Sequence, residues 1–198
     1  MAHAPRLVLA SASPRRLALL QQIGRAPDAV IPAELDETPH RDELPRLHAA
    51  RLALEKARAV QAQAPDAVIL AADTVVACGR RILPKAETEM AARECLALLS
   101  GRRHRVYGSI AVMAPGATLR LWQRTVVTMV RFARLSPAQI DDYVAGGEWR
   151  GKAGAYAIQG TAAAFIPAIN GSYTNVVGLC LPTAENLLRA AFAHAVHG

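Results

Sequence analysis

The residues best suited to chemistry form a short motif near the start of the chain, Ser11-Ala12-Ser13-Pro14-Arg15-Arg16, directly after the apolar residues 7–10. Ser13 can accept a hydrogen bond from a first helical turn, and Pro14 suits the first helical position because its missing N–H would have no partner there. The free N–H groups of that turn favour a phosphate, and the arginines add permanently charged donors. An ordinary helix cap with two solvated charges explains these residues equally well.

Neighbouring residues on a helix point about 100° apart, so Arg15 and Arg16 need not reach the same ligand. We expect Arg15 to bind the anion. Arg16 belongs to the same candidate binding set, but a structural pairing is the role that we favour for it.

Lysine is rare in this chain: of its 23 basic residues, only Lys56, Lys85 and Lys152 are lysines. An ammonium is a compact charge with rotatable donors, and it is not equivalent to the planar fork of arginine. All three lysines are therefore site candidates. The alternative is that compositional bias left a few lysines by chance.

Two acidic segments are the candidate carboxylates. The apolar run 67–72 has the length of a buried strand and is followed by Asp73-Thr74, and in open α/β sheets ligands gather at the carboxyl ends of strands. Glu37 lies with Asp36 in an acidic loop over residues 34–39. Asp73 could instead satisfy N–H groups of a turn, and Glu37 could be a solvated loop charge.

A glycine-rich segment over residues 151–160 combines backbone freedom with Lys152, Tyr156 and Gln159. This mixture of a cation, an aromatic ring and an amide suits the gripping of a ligand. Tyr156 could stack on a base, as could Tyr173, but packing in the core or at the rim is at least as good an explanation. For His104, a hydrogen-bonded strand histidine is favoured over a catalyst, because no cysteine or serine nucleophile accompanies it.

Alternating elements must position these residues. The pattern predicts strands at 6–10, 28–32, 67–72 and 163–166, a long hairpin of 105–113 with 118–132, a turn at 170–172, and helices at 14–23, 44–63, 87–99, 137–146 and 183–196. Ser136 and Gln139 have the spacing of a capping box at the start of the fourth helix. Lys56 then lies on a helix and Lys85 on a loop. The sequence shows no internal repeat and no long linker.

Composition narrows the class of protein. At 198 residues the chain can bury a real core, and no uncharged apolar run reaches the roughly 20 residues of a membrane span. With no signal-peptide pattern at the start and three scattered cysteines, we expect a cytoplasmic protein with free thiols and no membrane partner. The net charge of +7 favours an acidic ligand, whereas 5% aromatic residues argue against a surface that stacks nucleic-acid bases.

Eight short motifs follow one another along nearly the whole chain. They are the Ser11 to Arg16 motif, Asp36-Glu37, Glu55-Lys56-Ala57, Ala72-Asp73-Thr74-Val75-Val76, Leu98-Leu99-Ser100-Gly101 with His104, Lys152-Ala153-Gly154-Ala155-Tyr156, Ile158-Gln159-Gly160 and Asn170-Gly171-Ser172-Tyr173. Together they resemble the Maf family of nucleoside triphosphate pyrophosphatases. Each motif alone is only moderately specific, but their number and order leave little room for coincidence.

The resemblance implies an inosine-triphosphatase-like (Maf/Ham1) α/β fold, with a mixed twisted sheet, flanking helices and a deep cleft between two lobes, in one domain over residues 1–198. It also implies a divalent metal cation (Mg²⁺ or Mn²⁺), a homodimer, and hydrolysis of a nucleoside triphosphate to the monophosphate and pyrophosphate. Asp-Thr and Ile-Gln-Gly resemble the branch that prefers dTTP and UTP over 7-methyl-GTP. One departure is Pro84-Lys85-Ala86, where the family usually reads Gly-Lys-Pro, so the backbone is constrained at a different residue.

Roles follow for the candidate residues. Asp73 is expected to be the base that deprotonates water, with Lys56 and Lys85 neutralising the leaving group, and Glu37 and Asp73 holding the metal, helped by Asp36. The expected substrate-binding residues are Ser11, Ser13, Arg15, Arg16, Thr74, Lys152 and Gln159. The resemblance links Arg15, Thr74 and Gln159 to base choice, and an amide suits the imide edge that uracil and thymine share.

Two other classes of function compete with this one. The first is a non-catalytic, nucleotide-binding regulator of septum formation, a role that the resemblance also carries and that could coexist with catalysis. The second is a nucleic-acid-binding module, which the scattered basic residues disfavour. Within the enzyme class, 7-methyl-GTP or another modified purine nucleotide is the alternative substrate.

Overall fold

The computed structural model describes residues 5–197, and within them a mixed sheet forms the centre of the molecule. Its strand order is β2-β1-β3-β5-β6-β7, with β4 pairing β3 separately. The first three of these strands are parallel, and β3, β5, β6 and β7 are antiparallel. The strands are β1 Leu7–Ala10, β2 Ala29–Val30, β3 Val68–Cys78, β4 Arg81–Leu83, β5 Arg103–Ala114, β6 Arg120–Arg131 and β7 Ala168–Asn170. The predicted α/β class and the long hairpin, β5 with β6, are confirmed.

Helices cover both faces of the sheet. They are α1 Pro14–Gln22, α2 Pro45–Gln61, α3 Glu89–Leu99, α4 Pro137–Ala145, α5 Tyr173–Val177 and α6 Leu181–His197. All five predicted helices are present, and α4 begins with the predicted capping box of Ser136 and Gln139. The short helix α5 was not predicted; it begins after Ser172, whose side chain accepts a hydrogen bond from the Asn175 N–H. No helix of the described residues is long and apolar enough to cross a membrane.

The predicted strand at 163–166 is wrong, because residues Thr161–Phe165 form a 3₁₀ helix. The N–H of Ala163 donates to the Gly160 carbonyl and that of Ile166 to the Ala163 carbonyl, which is the three-residue spacing of such a helix. The alanine-rich segment has few of the β-branched residues that favour strands. The partner of β6 at this edge is instead β7, three residues further along.

The strand β3 differs from its prediction in a way that matters for function. It does not end at residue 72 but continues to Cys78, so Asp73 and Thr74 lie in mid-strand and the predicted carboxyl-end position is wrong. On one side β3 pairs with β5 without interruption from Ile69 to Ala77. On the other side β1 pairs with residues 68–71 and β4 with residues 76–78. Residues 72–75 therefore have no strand partner on that side, and the gap gives access to the middle of the sheet.

The core lies in two layers, one on each face of the sheet. Alternate residues of β1 enter different layers: Leu9 joins the larger cluster, with α3 and α6, and Val8 joins the smaller cluster beneath α2. Strands buried on both faces explain why residues 7–10 and 67–72 are continuously apolar. The three cysteines are free, as predicted; Cys95 and Cys180 are buried, whereas Cys78 is only half-buried.

Candidate active site

One cavity of about 440 Å³ opens at the gap beside β3. Its walls come from the β1–α1 turn, the middle of β3, the loops at 84–86 and 150–159, and the end of α5. The structure brings together eleven of the predicted catalytic, substrate-binding and metal-binding residues in its lining: Ser11, Ser13, Arg15, Arg16, Glu37, Lys56, Asp73, Thr74, Lys85, Lys152 and Gln159. Asp36 does not join them; it is exposed, and its carboxylate accepts a hydrogen bond from the Thr38 N–H.

The centre of the cavity is a chain of alternating charges. The Lys56 Nζ lies 2.7 Å from Asp73 Oδ1 and 2.5 Å from Glu37 Oε1, and the Lys85 Nζ lies 2.5 Å from Glu37 Oε2. Lys56 and Asp73 are each only 8% exposed in their side chains. Asp73 Oδ2 has no hydrogen-bond partner among the described residues, and it is not fully buried. It is therefore the oxygen that Asp73 can offer to a ligand or to water.

The helix α2 places Lys56 in this position. Its buried face carries Ala53 and Ala57, whose small side chains let the helix pack closely on β3, so Lys56 meets Asp73 across the helix–sheet contact. At the start of the same helix, Arg51 donates hydrogen bonds to Glu43 and to the Thr38 carbonyl. These bonds fasten the acidic loop to α2 and hold Glu37 beside Lys56.

The electrostatic environment keeps Glu37 ionised. Burial alone would raise its pKa, but hydrogen bonds from Lys56 and Lys85 outweigh this and lower the pKa to about 2. Burial lowers the pKa of both Arg15 and Lys152, and in Lys152 the nearby charge of Arg15 adds to the effect. Excess positive charge in the cavity thus favours an anionic ligand.

The cavity holds six cationic side chains but only two carboxylates, an excess of four positive charges. One of the six, Arg150, was not predicted. Its guanidinium lies over the ring of Trp149, 4.6 Å from the centroid, and it precedes the glycine-rich loop. The signal that could have revealed it is a basic residue directly before Gly151-Lys152.

The two arginines of the opening motif are both anchored to the end of α5. Arg15 donates to the Val177 carbonyl at 3.2 Å and Arg16 to the Gly178 carbonyl at 2.9 Å. Arg16 also donates to Ser11 and Thr74 and is buried beneath the cavity. The favoured structural pairing of Arg16 is therefore confirmed, although Arg16 lines the cavity as well.

Ser13 differs from its expected role. It stands at the N-cap position, but its side chain accepts no hydrogen bond from the first turn of α1, so that prediction is wrong. The Ser13 N–H donates to Ser11 Oγ at 3.2 Å, and the Ser13 carbonyl accepts the N–H groups of Arg16 and Leu17. The hydroxyl of Ser13 is left available to the cavity.

The glycine-rich loop is joined to the loop of Lys85 by backbone hydrogen bonds. The Ala86 N–H donates to the Lys152 carbonyl at 3.3 Å, Gly151 donates to the Ala86 carbonyl, and Gly154 donates to the Pro84 carbonyl. A proline at position 86 would have no N–H for the first of these bonds. The Pro84-Lys85-Ala86 departure therefore leaves Lys85 in the site and adds a contact between the two lysine-bearing loops.

His104 and Tyr156 form part of the core under this loop. The His104 Nε2 lies 2.8 Å from the Tyr156 hydroxyl, and both rings pack edge to face with Phe132. Burial lowers the pKa of His104 to about 4 and raises that of Tyr156 above its usual range. The prediction of a hydrogen-bonded strand histidine is confirmed. Tyr156 is a core residue whose edge reaches the cavity, whereas Tyr173 is exposed.

Comparison with known proteins shows the family of this chain. A family model described as "Maf-like protein" matches residues 6–191. The chain belongs to the Maf-like protein family. The match covers all eight motifs and every residue that we place in the cavity.

Two relatives of this Maf-like chain are both named "dTTP/UTP pyrophosphatase". The protein of Caulobacter vibrioides is 61% identical over 188 residues, covering 95% of this chain and 96% of the relative. That of Novosphingobium aromaticivorans is 57% identical over 191 residues, covering 96% and 94%. The solved structure of a HAM1 protein from Coxiella burnetii has a TM-score of 0.53 and 19% identity, covering 94% of this chain and 100% of that one. This likeness shows that the Maf-like chain has the predicted inosine-triphosphatase-like fold.

Proposed function

We propose that this chain is a nucleoside triphosphate pyrophosphatase that hydrolyses dTTP and UTP to the monophosphate and pyrophosphate. The observation that carries the proposal is the buried contact of Lys56 with Asp73 and Glu37 in a cavity with four excess positive charges. The names of the relatives supply the substrates. A nucleoside triphosphate carries about four negative charges, which matches the excess in the cavity.

Asp73 is proposed as the general base. Its free oxygen, Oδ2, takes a proton from a water molecule whose oxygen attacks the α-phosphorus of the substrate. A bond forms between the water oxygen and the α-phosphorus, and the bond from that phosphorus to the bridging oxygen of the β-phosphate breaks. Pyrophosphate leaves with the electron pair. Lys56, which contacts Asp73, and Lys85, which contacts Glu37, neutralise the charge of the leaving pyrophosphate.

A divalent cation fits the carboxylates of this site. Within residues 5–197 no group of three or more acidic, histidine or cysteine residues could hold a metal by itself. Mg²⁺, however, commonly binds through one or two carboxylates together with substrate phosphates, and Asp73 and Glu37 supply such a pair. They would hold an ion that arrives with the triphosphate, and the ion would supply charge neutralisation at the phosphates.

Phosphate binding is assigned to Ser11, Ser13, Arg15 and Lys152, which line the cavity, the first three of them at the N-terminus of α1. Base choice is assigned to Arg15, Thr74 and Gln159, which also line the cavity. Gln159 can donate and accept at once, which suits the imide edge of uracil and thymine. We retain the single domain, the homodimer and the cytoplasmic location as predictions.

The test is a panel of nucleoside triphosphates, including dTTP, UTP, CTP and 7-methyl-GTP, assayed with Mg²⁺ or Mn²⁺ for pyrophosphate release. We expect Asp73→Asn to lower kcat by about 10²- to 10⁴-fold, the range of a lost general base. Asp66→Asn is the matched control, because Asp66 is exposed just before β3 and outside the cavity. In water labelled with ¹⁸O, the label should appear in the monophosphate.

Three results would contradict the proposal. They are label in the pyrophosphate, unchanged release by Asp73→Asn, and absence of turnover of every nucleotide in the panel. A Gln159→Ala variant that kept the wild-type ranking of the nucleotides would remove Gln159 from base choice. Gln63→Ala, at the exposed end of α2, is the control for that substitution.

A further inference from the structure

Arg16 is one of the two buried cations of the cavity wall, with Lys56, and it contacts three separate segments. Its Nε donates to the Gly178 carbonyl at 2.9 Å, its Nη1 to Ser11 Oγ at 2.9 Å, and its Nη2 to Thr74 Oγ1 at 3.2 Å. A guanidinium has only donors, so each of these partners must act as an acceptor toward it. The direction of these hydrogen bonds restricts what Ser11 and Thr74 can still do.

Ser11 has no acceptor capacity left. Its Oγ accepts from Arg16 and also from the Ser13 N–H at 3.2 Å, which occupies both lone pairs of the hydroxyl. Its O–H has no acceptor among the described residues, although Ser11 lines the cavity. Toward a ligand, Ser11 can therefore only donate, which suits a phosphate oxygen.

Thr74 has the opposite polarity. Its Oγ1 accepts from Arg16 and donates to the Gly178 carbonyl at 3.3 Å, so one lone pair remains and no proton does. Gly178 has a φ of 143°, a backbone conformation that residues other than glycine rarely adopt. In this conformation its carbonyl accepts hydrogen bonds from both Arg16 and Thr74. Toward a ligand, Thr74 can only accept.

We propose that Arg16 is a positioning residue that fixes the hydrogen-bond polarity of its two neighbours, making Ser11 a donor to phosphate and Thr74 an acceptor from the base. The inference rests on the proposed function. Uracil and thymine carry a proton on N3, and cytosine carries a lone pair there. A Thr74 that can only accept therefore selects the first two bases and rejects the third, because two lone pairs would face each other.

The inference is tested by the ratio of kcat/KM for UTP to kcat/KM for CTP. In Arg16→Lys, a single ammonium cannot reach all three acceptors, so the Thr74 hydroxyl becomes free to rotate and to donate to cytosine N3. We expect the ratio to fall at least tenfold. Thr74→Val should lower it similarly, and Arg16→Lys in the Thr74→Val background should change it no further. A merely structural role would lower kcat/KM for UTP and for CTP by the same factor and leave their ratio unchanged.

Arg25→Lys is the matched control. Arg25 follows α1, and its hydrogen bonds to Glu185 lie outside the cavity, so this variant perturbs the same helix with no expected change in the ratio. A second measurement needs no variant of Arg16. Wild-type enzyme should hydrolyse N3-methyl-UTP at least tenfold less efficiently than UTP, and Thr74→Val should reduce this difference.

The possible failures are distinguishable. A wild type that turns over no nucleotide removes the proposed function and this inference together. If the wild type prefers UTP to CTP and Arg16→Lys has the same ratio of kcat/KM values, the inference is overturned but the proposed function is not. Equal rates on UTP and N3-methyl-UTP also overturn it, even if Arg16→Lys does not fold.

Discussion

Lys56→Met is the perturbation whose energetic cost follows most directly from the structure. The substitution keeps an unbranched side chain one atom shorter and removes the charge that lies 2.7 Å from Asp73, where both side chains are 8% exposed. At an effective dielectric constant near 20, two unit charges at that distance attract by about 6 kcal/mol. This attraction offsets the cost of burying both charges, and without Lys56 only the cost for Asp73 remains.

We expect Lys56→Met to lower the free energy of unfolding by about 3–5 kcal/mol, the range for breaking a buried ion pair. Glu37, which is 36% exposed, adds little because solvent screens it. For a chain of this size the loss corresponds to a fall in Tm of roughly 6–20 °C. The assay is urea unfolding followed by circular dichroism at pH 7 without divalent metal.

Two further variants show whether the reasoning is right. Asp73→Asn in the Lys56→Met background removes the unpaired charge, so the double variant should be more stable than Lys56→Met alone by at least about 1 kcal/mol. Lys85→Met is the control, because Lys85 is 52% exposed and its ion pair should contribute less than about 1 kcal/mol. The argument is refuted if the free energy of unfolding of Lys56→Met lies within about 1 kcal/mol of the wild-type value. It is also refuted if the loss of stability in the double variant equals the sum of the losses in the two single variants.

Three further predictions concern the packing around the cavity. Burial lowers the pKa of His104 from 6.5 to about 4, so the folded protein keeps this ring neutral. The stability that neutral His104 provides is complete above pH 6.5. It is lost as the pH falls from 6.5 toward 4, by up to about 1.4 kcal/mol per pH unit. Urea unfolding across that range should have a shallower pH slope in His104→Gln, and equal slopes would contradict the assignment. A Cβ at position 108 would lie 1.9 Å from the Oδ1 of the fully buried Asn175, so Gly108→Ala should cost about 1–3 kcal/mol of stability in the same assay, and a neutral result would refute that contact. Ala86→Pro removes the N–H that donates to the Lys152 carbonyl. We expect it to lower the free energy of unfolding by about 1 kcal/mol and to raise KM for UTP. If both values are unchanged, the hydrogen bond contributes neither to stability nor to substrate binding.

The predictable part of the fold was local. Apolar runs, helical periodicity, the Ser136 capping box and the turn before β6 each depend on residues close together in the chain, and all of these elements are present. The failures have the same origin. Whether the apolar run at residue 67 stops at 72 or continues to Cys78 depends on β5, whose residues 105–113 pair with residues 69–77 and are distant from them in the chain.

The site shows the same division. Residue types, their order and the resemblance to the Maf family together selected eleven of the residues that line the cavity, because an ammonium, a carboxylate or an amide keeps its chemistry wherever the chain carries it. The sequence could not exclude Asp36 from the candidate metal ligands, because Asp36 is adjacent to Glu37 and only the structure shows that it is exposed. Nor did it identify the side-chain role of Ser13, since a cap position does not ensure a capping bond.

By itself, then, the sequence determined the α/β class, the main elements and the chemical groups of a phosphate-binding site with acidic and basic members. Only the tertiary structure decided how those groups pair. Lys56 meets Asp73 because α2 packs on β3, and Arg16 reaches Gly178 because α5 lies against α1. Such contacts join residues 17 and 162 positions apart, and the packing of whole elements, rather than local preference, sets their distances and hydrogen-bond directions.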